Sequence, residues 1–175
     1  LADDADATYG LFFFHYMKGT IHGRAGDADT ALGSFETAEQ IARHRGLESP
    51  ATLAQWKVLR LQLKAGKIDG AQFLNEIDAC KARLLAHLGD AWSTNALLKI
   101  LIDDVRPVAL ELGRRDTALA ATAEAFDLSM RRAAGRTATA LRKVRHMRDH
   151  ILELEPDADW REEFVSSRKE ALARL

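Results

Sequence analysis

The chain is predicted to be all-helical, built as about four stacked antiparallel helical hairpins. Three observations predict this. Apolar residues recur at three and four positions almost throughout, while the alternation expected of strands is nearly absent. Three prolines and scattered glycines leave room for long helices, and the helical stretches are separated by only two to four residues, which makes neighbours antiparallel. Finally, Ala31, Phe35 and Ala38 recur at i, i+4 and i+7, a small–aromatic–small face suited to two closely crossing helices.

The helices are expected at about 8–25, 28–46, 51–65, 69–88, 91–112, 115–134, 136–154 and 158–174, so the hairpins span 8–46, 51–88, 91–134 and 136–174. Asp3, Asp4 and Asp6 among alanines read as a solvated lead-in to the first helix. Gly26-Asp27 breaks the first pair, and Gly46 through Pro50 precedes the third helix. Ala65-Gly66 precedes the fourth, Gly89-Asp90 offers a stop followed by an N-cap, and Gly113 and Gly135 mark later breaks. Pro156 through Trp160 is a start signal with acids in the first turn. Pro107 falls inside the fifth helix, which must kink or split there. Several faces look apolar on two sides, as a middle layer requires; the alternative is a compact irregular helical bundle.

At 175 residues the chain can bury a core as a single domain, 1–175, without staples. It is 47% apolar and 29% charged with a net charge of −1, which offers no global argument for nucleic acid or an acidic substrate. Cys80 is the only cysteine, which excludes an intrachain disulfide and fits a reducing compartment, with the cytoplasm as the expected location. No apolar run is long enough to span a membrane. The start at Leu1 rather than Met points to a fragment or processed product of a larger protein.

The segment His15–Gly46 resembles the tetratricopeptide-repeat family, whose repeat is a helix–turn–helix of about 34 residues. Gly19 and Gly26 fall at the glycine-favoured places, and Ala31, Phe35 and Ala38 follow in order. A second copy phases on Ala65-Gly66 and Ala71, with Asn75 and Asp78 replacing the aromatic and small residues. A third phases on Gly113, Ala118 and Ala125, with Thr122 in place of the aromatic. The spacings between Ala31, Ala71 and Ala118 exceed the family period. Pro156 and Trp160 resemble the repeat-end proline and the next aromatic in a different phase.

The resemblance implies an α-solenoid that binds a peptide or partner helix in a concave groove, as the docking or regulatory module of a larger signalling protein. Family position puts Phe13, Tyr16, Thr20 and Arg24 on the groove from the first hairpin and Leu53, Trp56, Arg60 and Lys64 from the second. Asp103 and Glu111 of the third would make one end acidic. Independently of the family, Trp56, Arg60 and Lys64 form one helical stripe, an indole beside two cations able to grip an apolar side chain and a carboxylate. The partner-binding residues are therefore expected to be Tyr16, Arg24, Trp56, Arg60 and Lys64, with Trp56 as anchor unless it packs in the core.

The second function class is nucleic-acid association through the basic stretch Arg131–Arg148, set against an ordinary amphipathic helix with a charged outer face. His146 and His150 share a helix face but complete no metal site, and no metal or cofactor is expected. His15 and His22 read as packing or solvent-exposed histidines. Ser34, Ser93 and Ser129 lack a nucleophile elbow, Cys80 sits with Ile77 and Leu84 as a core residue, and no enzyme activity is expected. The dense cluster Tyr9, Phe12, Phe13, Phe14 and Tyr16 leaves one face of the first helix to meet another domain or a second chain, or to be covered by a long return helix.

Overall fold

The computed structural model describes residues 2–87 and 91–133, together with Asp149 and Glu153. Among the described residues the backbone is helical, joined by short turns. Helix α1 runs Ala2–Ala25, α2 Ala28–His44, α3 Glu48–Lys64 and α4 Gly70–Leu85. Helix α5, Ala91–Lys99, continues through a π-helical run, Ile100–Val105, into α6, Arg106–Glu111, and α7 follows at Arg115–Ala133. The expected lead-in at Asp3, Asp4 and Asp6 is instead part of α1. Apart from Asp149 and Glu153, the seventh and eighth expected helices lie outside the described residues, as do the Pro156–Trp160 signal, His146, His150 and all but the start of Arg131–Arg148.

The helix ends follow from local chemistry. After α2, Gly46 adopts a left-handed φ of 68°, a conformation that a Cβ would disfavour. Its N–H donates to the Arg43 carbonyl, and the Leu47 N–H donates to that of Ala42, so two carbonyls of the last turn are satisfied within the chain. The turns at Gly66 and Gly113 repeat the same pair of bonds. At helix starts, the Asp27 carboxylate accepts from the Thr30 N–H at 3.2 Å, and the Asp69 carboxylate accepts from the Gln72 N–H at 2.8 Å. The Thr30 bond holds the Asp27 carboxyl below its ordinary range, with His22 Nδ1 adding a contact at 3.0 Å.

Pro107 neither splits nor ends its helix. Proline lacks an N–H, and in an α-helix its ring would strike the carbonyl four residues back. Here the preceding turn is widened, with the Arg106 N–H reaching the Leu101 carbonyl five residues back. Helical backbone therefore continues through both sides of the proline.

Contacts divide the chain into two compact units, residues 1–96 and 97–175. In the first, α1 packs on α2, α2 on α3 and α3 on α4. One core cluster joins Phe12 to Ala38, Ala42, Ala51 and Ala54; a second joins Ala31 and Phe35 to Val58. The close approach of α1 to α2 has a visible cause: a Cβ on Gly19 would stand 3.0 Å from the Phe35 ring. Alanines 31, 38 and 42 are fully buried, as a short interaxial distance requires.

Helix α4 corrects the phase expected for its repeat copy. Asn75 and Asp78 face solvent, whereas Phe73, Ile77, Cys80 and Leu84 are wholly buried. A register two residues later buries apolar rather than polar groups, and burying Asp78 without a partner would cost several kcal/mol, roughly 2–7 for an uncompensated polar group. Burial pushes the Cys80 thiol above its ordinary range. A polar strap crosses this layer: the Gln55 carbonyl oxygen accepts from Arg43 of α2 and Arg83 of α4, and Arg83 also donates to Thr52.

In the second unit, the π-helical run and α6 pack on α7. Ala118, Thr122 and Ala125 are all buried, and the Thr122 hydroxyl donates to the Ala118 carbonyl at 2.8 Å. Arg106 forms an ion pair of 2.9 Å with Glu153.

The glycines of α1 and α2 make the packing testable. Gly19→Ala should lower stability, because overpacking costs about 1–3 kcal/mol and outweighs the roughly 1 kcal/mol of helix propensity gained. Gly33→Ala, with nothing within 4 Å of the added Cβ, should raise stability by about 1 kcal/mol. Urea midpoints moving in the same direction for both variants would contradict the close contact.

Candidate functional site

The site grows from the Phe35 ring. It packs edge-on against Tyr16 at 5.4 Å between centroids and closes against Gly19, and beside this contact α1 and α3 leave a gap. This gap is a shallow groove of about 220 Å³, floored by Phe35. Its α1 wall includes Gly19, Thr20 and Arg24, and its α3 wall carries Lys57, Arg60 and Lys64. At this size it is smaller than the roughly 300–1,000 Å³ of small-molecule pockets, and suits a single side chain or a terminal carboxylate.

Four basic residues thus converge on one groove, and among the described residues no acidic one lines it. Arg60 and Lys64 share a face because they are four apart on α3. Arg24 comes from the last turn of α1, whose C-terminal dipole favours a cation. Thr20 donates its hydroxyl to the Tyr16 carbonyl at 2.9 Å, so its side chain is bonded within α1.

The structure brings together Arg24, Arg60 and Lys64 as expected from the sequence, with Thr20 beside them. Trp56 is corrected: it is 2% exposed and belongs to the core, so it cannot serve as an anchor reached by a partner. Apolar burial of an indole outweighs its place on the stripe, because the helix face that carries Trp56 also carries Thr52 and Leu59 into the interior. Its role is indirect. Lys57 Nζ lies 4.0 Å from the ring centroid and the Arg60 guanidinium 5.7 Å, so the buried indole holds two groove cations over its π-face. Lys57 was missed by the helical stripe, which samples every fourth residue; the signal that could have found it is its place next to Trp56.

Tyr16 is half-buried, stacked between Phe12 and Phe35 rather than projecting as a contact residue. Burial raises its phenol to about 12, with the positive charge of Arg60 opposing the shift. Phe13 is exposed away from the groove, and Leu53 is buried. Asp103 and Glu111 are exposed in the second unit. Of the serines, Ser34 donates to the Thr30 carbonyl at 2.7 Å and Ser93 to Ser49 at 3.1 Å; Ser129 is buried. His15 packs edge-on against Phe14.

Two outcomes check these placements. Trp56→Ala should cost about 3–5 kcal/mol of stability as a buried large-to-small change, visible as a lowered unfolding midpoint before any effect on binding is measured. Tyr16 should ionise late in an ultraviolet titration. Its folded pKa, raised from 10.0 to about 12, favours the neutral phenol, so its contribution to stability is complete below pH 10 and lost as pH rises toward 12. Tyr16→Phe should remove both that late ionisation and that part of the alkaline loss. No protein-family model, curated protein or solved structure matches this chain.

Proposed function

We propose that the chain is a protein-interaction module of tetratricopeptide-like stacked hairpins, which captures an acidic peptide segment or terminal carboxylate in the groove between α1 and α3. The observation that carries this reading is the convergence of Arg24, Lys57, Arg60 and Lys64 over the Phe35 floor, in a groove with no acidic lining among the described residues. An anion seated in the groove can accept charge-assisted hydrogen bonds from these cationic side chains. The guanidinium of Arg60 offers a planar fork for a carboxylate, while Lys57 and Lys64 supply point charges. Leu61 and the lysine stems supply a shallow apolar bed for the adjoining side chain.

The stacked reading of the fold is supported by the sequential packing of α1 on α2, α2 on α3 and α3 on α4, and by the matched burial of Ala31-Phe35-Ala38 and Ala118-Thr122-Ala125. A groove of this kind binds rather than transforms its ligand, and its natural setting is the docking or regulatory segment of a larger signalling protein in the cytoplasm. No helix among the described residues is long and apolar enough to cross a membrane.

Titration with a fluorescent peptide rich in aspartate and glutamate, ending in a free carboxylate, tests the reading against its amidated twin. The free acid should bind more tightly, and the pair Arg60→Glu with Lys64→Glu should weaken it by about tenfold or more, as reversal of close charge partners does. Affinity unchanged by that double reversal, with the helical circular-dichroism signal intact, would rule the groove out.

A further inference from the structure

The cations of the groove stand on two walls. Lys57, Arg60 and Lys64 are three and four residues apart, so they share a face of α3 over about 10 Å of helix axis. Arg24 lies on the other wall, on α1. Two of the four have a fixed backing, because the buried Trp56 ring carries Lys57 Nζ at 4.0 Å and the Arg60 guanidinium at 5.7 Å from its centroid. Tyr16, packed edge-on against Phe35, keeps its proton at neutral pH, since burial raises its phenol to about 12, and it supplies no counter-charge.

Donor geometry separates the candidate anions. A carboxylate presents two coplanar oxygens and one charge, which a single guanidinium fork can saturate. A phosphorylated serine or threonine carries a charge of about −1.5 to −2 at neutral pH on three strong acceptor oxygens. Those oxygens spread tetrahedrally, so they can accept from Arg24 on one side and from Arg60 and the two lysines on the other. The space limits what the phosphate is attached to. At about 220 Å³ the groove takes one compact group. Phe35 is 3% exposed, so its ring offers no open face on which a nucleobase or a phosphorylated phenol could stack. Leu61 and the lysine stems remain as a bed for a neighbouring side chain of the same peptide.

We propose that the groove recognises a phosphorylated serine or threonine of a peptide partner, its phosphate held between Arg24 of α1 and Lys57, Arg60 and Lys64 of α3. This inference rests on the groove reading and names the acidic group that the groove takes. Phosphorylation of the partner is then the switch for docking, since an unmodified serine brings no charge to the cations.

Nonapeptide pools blocked at both termini, carrying a neutral dye, test this by anisotropy against the 175-residue chain. Each pool is random, without acidic residues, apart from a central serine, glutamate or phosphoserine. The phosphoserine pool should bind about tenfold or more tightly than the glutamate pool, because it engages more charge-assisted donors, and the serine pool should bind most weakly. Arg24→Gln and Lys64→Gln, both at exposed positions, should each cost the phosphoserine pool several-fold more than the glutamate pool, because the Arg60 fork alone can saturate a carboxylate; circular dichroism checks that the helices persist. Inorganic phosphate should displace the phosphoserine pool only at concentrations about tenfold or more above those of the unlabelled pool. A phosphoserine pool no tighter than the glutamate pool, equal losses for both pools in the two variants, or inorganic phosphate as potent as the peptides would each overturn the proposal. The groove reading survives that result if the free-acid peptide still binds in preference to its amidated twin; if no peptide binds, both fall together.

Discussion

Much of the first unit depends on the contact between Gly19 of α1 and the Phe35 ring of α2. A glycine in mid-helix gives up roughly 1 kcal/mol of helix propensity, and that loss is tolerable only where a neighbour occupies the space. Phe35 does so, and three consequences follow. The α1–α2 axes come close enough to bury Ala31, Ala38 and Ala42 completely. Tyr16 is trapped against the ring, where burial disfavours its phenolate. The ring also reaches the gap between α1 and α3, becoming the floor beneath Arg24, Arg60 and Lys64.

The groove cations illustrate a division of labour between core and surface. Trp56 gives the α3 layer a large buried apolar area, and at the same time its π-face carries Lys57 and Arg60. A residue that looks like a recognition anchor in the sequence is in fact a platform, and the recognising groups sit on it. On the next layer, Gln55 gathers Arg43 and Arg83 into one polar strap, so these arginines are engaged in joining helices while the groove cations face the gap. The same helix thus uses arginine partners in two ways, according to which side of α3 they meet.

Helix limits were legible because their causes are local. Gly46 with Leu47, Gly66 with Lys67, and Gly113 with Arg114 each close a helix by hydrogen bonds that span only a few residues, and Asp27 and Asp69 open the next by bonding an N–H three residues on. The fate of Pro107 was less legible: the residue types predict trouble there, but either breaking or widening the helix relieves the clash, and the π-helical run keeps Val105, Val108 and Ala109 buried together. Repeat phase in α4 was misread because family position was weighed above the apolar spacing of Phe73, Ile77, Cys80 and Leu84, which the burial follows.

By itself, the sequence determined helical class, the turns and the stripe that carries Arg60 and Lys64, since each arises within a few neighbouring residues. It also marked Gly19 as a place of close approach, because glycine inside a helix has few other uses. Only the tertiary structure decided which side of α3 faces inward, and so turned Trp56 from anchor to support. It also added Lys57 to the expected set of Arg24, Arg60 and Lys64 and gave the groove between them its size, because a groove is a relation between helices distant in sequence, and no local pattern states the distance between them.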